Sequence, residues 1–219
     1  MSSRLPLLVI GSIQGSVLEK VETSIALGFE PIGVLLKDCV SADSLVCYDV
    51  ENLPSELRSA PCILGGPRNY SPLTSLDAVR SRTEGLMTIV GQASSLGFRN
   101  WITLVHPTAH VSPSASLGKG SFVAPLASVS SQSSVGDFVV IGRNSTVGHD
   151  VRIGNFTSIG PGASIPSFVS FGSQVSVGPG ATFLNQVKVG QGAVVGAGSV
   201  VTSNVGFKEL FFGNPAKSS

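Results

Sequence analysis

The sequence predicts two folds in series: a small α/β domain over residues 1–105 and a parallel β-helix over residues 106–219. Two patterns carry this expectation. Continuous apolar runs alternate with helix-length segments through the first half, and from Val111 the hydrophobic period becomes six and does not slip. A content of 42% hydrophobic and 12% charged residues in 219 suits a globular chain able to bury a core.

In the first half, "LPLLVIG" (5–11) is an unbroken apolar run of the kind a strand buried on both faces requires. The helical pattern that follows, "SVLEKVETSIALG", sets Val17, Val21 and Ile25 at spacing four and stops at Gly28. Strands are expected in "EPIGVLLKD", "SLVCYDV" and "APCILGG", a helix over residues 75–97 ending at Gly97, and a last strand in "FRNWITLVHP". Strand-helix alternation of this sort predicts a small Rossmann-like parallel sheet covered by helices, with any ligand at the carboxyl ends of the strands.

In the second half, every sixth residue from Val111 to Val201 is aliphatic or Phe, over sixteen hexads. The residue after it is Gly in ten of the sixteen, and the fourth residue after it is always Ala, Ser, Thr or Val. Each hexad is therefore one short strand and a corner: the bulky residue points inward, the small one packs near the corner, and Gly permits a tight backbone. Stacked coils bury a continuous aliphatic column, as solenoids do.

Fourteen basic against thirteen acidic side chains, with no Lys/Arg run, lack the electrostatic footprint of a nucleic-acid or membrane-surface protein. Small-molecule chemistry is the better expectation. The N-terminus has too short an apolar run and no cleavage pattern for a signal peptide, so the chain reads as cytoplasmic. Cys39, Cys47 and Cys62 are an odd set without C-x-x-C spacing or a nearby His, which suggests buried free thiols and no metal site.

The hexads, with the closing "FFGNPAK" (211–217), resemble the hexapeptide-repeat acyltransferases, whose fold is a left-handed β-helix. Three hexads per coil, as in that family, would make about five coils, and at roughly 4.8 Å each a prism on the order of 25 Å tall. The order of parts, a strand-helix domain, then "LVHPTAHVSPSASLG", then hexads without a long insertion, is similar to bacterial sugar acetyltransferases of the sialic acid O-acetyltransferase and nucleotide 4-amino-sugar N-acetyltransferase type. The resemblance implies a homotrimer, acetyl-CoA in the groove between neighbouring prisms, no metal, and a nucleotide-sugar acceptor held partly by the first domain.

It also implies site residues. In "TVGHDVRIG" (146–154) the family's general base falls on His149, followed by Asp150. The repeat phase alone gives Val147 and Val151 to the core and leaves His149 and Asp150 facing outward. A solvent-facing corner also tolerates a His-Asp pair without using it. As a base, an imidazole with an ordinary pKa of about 6.5 takes a proton from an amine or hydroxyl near neutral pH, and an adjacent carboxylate orients it. Direct transfer is expected, because no Ser/His/Asp set or well-placed Cys suggests an acyl-enzyme.

Matching positions for acetyl-CoA are Ser158, which stands where relatives often have a second His, Ser167, Pro179 and Ala197. For the acceptor they are Gly11, Ser12 and Ile13 in "GSIQGS", Lys37 and Asp38 in "LLKD", and Gly65 in "LGGPRNY". His106 and His110 precede the repeat and read as structural or interface residues. Three functions stay open at this stage: N-acetylation of a nucleotide-linked amino sugar in bacterial surface-glycan biosynthesis, O-acetylation of a sugar hydroxyl, and a non-catalytic trimeric scaffold.

Overall fold

The computed structural model describes residues 4–12, 16–36, 45–65 and 76–219. The chain divides into two compact units, residues 1–107 and 108–219.

The first unit is built on four parallel strands, β1 (Leu5–Ile10), β2 (Phe29–Leu35), β3 (Cys47–Asp49) and β4 (Cys62–Leu64), in the order β3-β2-β1-β4. β1 is central, and Leu7, Leu8, Val9 and Ile10 are fully buried, which explains its unbroken apolar run. The chain steps from β1 outward to β3 and then crosses to the other side of β1 with β4. The β1/β4 boundary is therefore the switch point, where open parallel sheets bind ligands beyond the strands' carboxyl ends.

Helix α1 (Ser16–Ala26) corrects one expectation. Val17 and Val21 are buried, but Ile25 is 42% exposed and Ser24 takes the inward place. Residues four apart advance 40° more than a full turn, so the third member of a spacing-four series leaves the face that 17, 21 and 24 share. The buried Ser24 hydroxyl is satisfied by donating to the Val21 carbonyl (2.6 Å). Lys20, half-buried on the same helix, donates from Nζ to the Leu64 carbonyl at the end of β4 (2.9 Å). Burial, reinforced by the positive charge of Arg82, pushes its pKa down to about 8.

Helix α2 spans Leu76–Ser95. The expected last strand is mostly irregular. Trp101 bridges to Cys62 in parallel, and only Leu104–Val105 is regular strand. Cys62 is buried and Cys47 only half-buried, while Cys39 lies outside the described residues.

In the second unit each hexad contributes a two-residue strand, and the strands sort into three sheets. Partners lie 18 residues apart, as in Ser134↔Arg152 and Val135↔Ile153, so three hexads make one coil of a parallel β-helix. Every residue of the aliphatic column is buried except Val111 and Leu117, which belong to the first, open-ended coil.

The glycine column has a different reason from the tight turn expected of it. A Cβ on Gly148 would lie 2.7 Å from the Ser167 nitrogen and 2.8 Å from the Pro166 carbonyl carbon, so Gly is needed because the next coil passes that close. The left-handed backbone conformation falls two residues later and is mostly taken by non-glycine residues, among them Gln132 (φ 59°), Asp150 (φ 57°) and Phe168 (φ 64°). A C-terminal hairpin, Leu210–Gly213 and Ala216–Ser218, carries a cis Asn214–Pro215 bond at its turn.

Candidate active site

His149 and Asp150 form the corner between the strands Thr146–Val147 and Arg152–Ile153. Val147 and Val151 anchor that corner in the core with 1% and 0% exposure. The coil below pins it. The buried Ser133 hydroxyl donates to the Gly148 carbonyl (2.7 Å) and accepts from the Val151 N–H (3.0 Å), one bond on each side of the pair. The Asp150 N–H donates to the Ser131 carbonyl (3.1 Å), and the coil above returns a bond from the Phe168 N–H to the His149 carbonyl (3.2 Å).

The side chains stand outside this frame, 50% and 46% exposed, with His149 Nδ1 2.8 Å from Asp150 Oδ2. Facing an acceptor-only carboxylate, Nδ1 carries the proton of the neutral ring and Nε2 keeps the lone pair. The arrangement thus offers an oriented, solvent-accessible base. The Phe168 ring meets the imidazole edge-on, with centroids 5.1 Å apart and planes at 86°. Beside the pair lies a depression of about 300 Å³ lined by Gln132, Asp150, Arg152, Phe168, Val169 and Ser170.

The other expected residues fall in three places. Ser167 lies one coil above His149 in register, with its backbone nitrogen 2.7 Å from where a Cβ on Gly148 would stand. Pro179 and Ala197 occupy a second edge of the prism, where Gly180 donates to the Pro161 carbonyl and Gly198 to the Pro179 carbonyl, each from one coil to the next. Ser158 lies on the sheet of Val140 and Ser176, a different sheet from those flanking His149. One chain therefore does not bring the acetyl-CoA set together.

In the first unit Gly11, Ser12 and Gly65 meet at the switch point. The Gly65 N–H donates to the Ile10 carbonyl (2.7 Å), and a Cβ there would lie 2.8 Å from Ile10 O and 2.9 Å from Ser12 O. The Ser12 side chain is only 2% exposed. Ile13, Lys37 and Asp38 lie outside the described residues. His110 opens a strand stacked with Ser128 and Thr146, away from the His149 corner.

Sequence reasoning missed Ser133, Arg152 and Phe168. Counting 18 residues, one coil, from Val151 and Asp150 would have found Ser133 and Phe168. Burial pushes the Cys62 thiol up to about 12, so it is no nucleophile at neutral pH. Among the described residues no group of three or more His, Cys, Asp or Glu side chains is placed to hold a metal ion, and no helix is long and apolar enough to cross a membrane.

Comparison with known proteins agrees with this fold. Residues 132–167, which contain the corner, match the model of the bacterial transferase hexapeptide (six repeats). The acetyltransferase domain of PglB from Neisseria gonorrhoeae FA1090, in complex with acetyl coenzyme A, is 30% identical with a TM-score of 0.81, covering 99% of this chain and 100% of that one. PerB from Caulobacter crescentus, in complex with CoA and GDP-perosamine, is 26% identical with a TM-score of 0.79, covering 98% and 96%. WeeI from Acinetobacter baumannii AYE, 16% identical with a TM-score of 0.79 over 99% and 100%, shares the fold. No curated protein sequence gives a significant match. A left-handed hexapeptide β-helix behind a small parallel α/β domain defines an acyltransferase architecture. The chain belongs to the hexapeptide-repeat acyltransferases, among the bacterial sugar acetyltransferases.

Proposed function

We propose that this enzyme transfers the acetyl group of acetyl-CoA to the amino group of a nucleotide-linked amino sugar in bacterial surface-glycan biosynthesis, directly and with His149 as general base. The observation that carries the reading is the His149–Asp150 pair, exposed at a prism edge with Nδ1 committed to the carboxylate and Nε2 directed elsewhere. Acetyl-CoA supplies the activated acyl group as a thioester. Nε2 takes the proton from the attacking nitrogen, Asp150 stabilises the imidazolium that forms, and the same nitrogen is placed to return the proton to the departing sulfur. The acetyl-CoA and nucleotide-sugar ligands of the PglB domain and of PerB support the donor and the class of acceptor.

The second edge fits a slender acyl carrier. Pro161, Gly162, Pro179, Gly180, Ala197 and Gly198 are all exposed there and carry almost no side-chain bulk, and a Cβ on any of the three glycines would touch nothing within 4 Å. Two edges of one prism cannot meet, so the reading requires a neighbouring copy to bring its second edge to His149. A homotrimer closes this arrangement with three equivalent grooves. In the first unit the Gly11–Ser12 and Gly65 backbones at the switch point are proposed to receive the nucleotide sugar, with Ile13, Lys37 and Asp38 joining them.

The test is CoA release on incubation with acetyl-CoA and a panel of nucleotide-linked amino sugars and their hydroxyl counterparts. Turnover only with amines is expected. Turnover with hydroxyls would make the enzyme an O-acetyltransferase, and none with any acceptor would favour a scaffold.

A further inference from the structure

We infer that Phe168 is a positioning residue that holds the His149 imidazole in its working orientation. This rests on His149 acting as the base. The bond to Asp150 fixes Nδ1 but leaves the ring able to swing about that contact. Phe168 closes one side of the swing: its ring stands nearly perpendicular to the imidazole, at 86° and 5.1 Å between centroids. Its own backbone is tied to the base, because the Phe168 N–H donates to the His149 carbonyl.

Two further observations say that packing does not explain this phenylalanine. It adopts φ 64°, a conformation disfavoured for a bulky side chain. Phe138 and Phe156 do the same elsewhere in the prism, but their rings stack on each other at 5.0 Å, with Phe138 buried and Phe156 half-buried. Phe168 is 51% exposed and its ring partner is His149. Leu126 also combines a left-handed backbone (φ 60°) with exposure, so what sets Phe168 apart is that its half-solvated ring is set against the candidate base, as expected of a side chain kept for the site.

The position supplies an unusually clean variant. Glycine is unstrained at this φ, so Phe168→Gly removes the ring while relaxing the backbone. The expected result is a melting temperature no lower than wild type, kcat reduced about tenfold, near the upper end of what an edge-to-face pair contributes, and little change in KM for acetyl-CoA. Phe168→Tyr should restore kcat. In the free enzyme, the ring-current shift of the His149 ring protons in NMR spectra should be lost in Phe168→Gly and kept in Phe168→Tyr. Wild-type kcat in Phe168→Gly, or an unchanged His149 spectrum, overturns the inference. His149→Ala assayed alongside separates the two claims: if it turns over normally the base assignment has failed, and the NMR result still reports whether Phe168 orients the ring.

Discussion

At the residue scale, the hexad phase made His149 and Asp150 legible in the sequence, because once Val147 and Val151 belong to the core the residues between them must face out. The structure adds which nitrogen is engaged, and that defines what Asp150 does. Asp150→Asn tests it with little backbone disturbance, since Asn tolerates the left-handed conformation that residue 150 adopts at φ 57°. The amide cannot stabilise the imidazolium as a carboxylate does, so kcat should fall by about tenfold or more while the melting temperature stays within a degree or two. Steady-state kinetics with calorimetry checks both. Phe168 was not legible in the same way. Its place beside His149 comes from its register over Asp150 one coil away, and a reading by single hexads does not look 18 residues ahead.

At the scale of elements, the sequence showed a column of small residues but not why Ser or Thr replaces Ala in parts of it. The coordinates supply the reason. Ser121, Ser133 and Thr157 each donate to a glycine carbonyl of the next coil and accept from the N–H of a valine three residues beyond it. Ser133 does this around the His149 corner. Ser133→Ala leaves a buried N–H without its acceptor, and urea unfolding should show a loss of about 1–3 kcal/mol. In α1, the apolar spacing identified the helix but misplaced its inner face at Ile25, since three residues at spacing four drift off one line.

Lys20 on that helix gives a pH prediction with a definite sign. Its pKa is about 8 in the folded chain and the ordinary 10.5 when unfolded. Between those values the unfolded chain binds more protons, so Lys20 adds stability as pH rises from 8 to 10.5, and below pH 8 its burial as a cation is a standing cost. Lys20→Met should remove that rise and stabilise the protein at pH 7, as measured by unfolding midpoints of both proteins at pH 7 and pH 10.

At the scale of the whole molecule, the β-helix was the most legible feature because a sixfold period repeated sixteen times admits one architecture. The division of the proposed site between two edges was legible only through the resemblance, which implied three hexads per coil and acetyl-CoA between neighbouring prisms, since residue number alone does not say which edge a corner joins. This division has a consequence in mixed assemblies. His149→Ala spoils one edge and Ala197→Trp the other, so each variant alone should be nearly inactive. Unfolded and reassembled together at equal ratio, random trimers of the proposed kind would recover about a quarter of the wild-type rate, because each proposed groove takes one edge from each of two chains. No recovery would place the whole site on one chain. The central claim, that His149 is the base, is tested most directly by the turnover number of His149→Ala with acetyl-CoA and a working amino-sugar acceptor. A fall of about 10²–10⁴-fold, with KM and melting temperature nearly unchanged, is predicted; a variant turning over at the wild-type rate would contradict it.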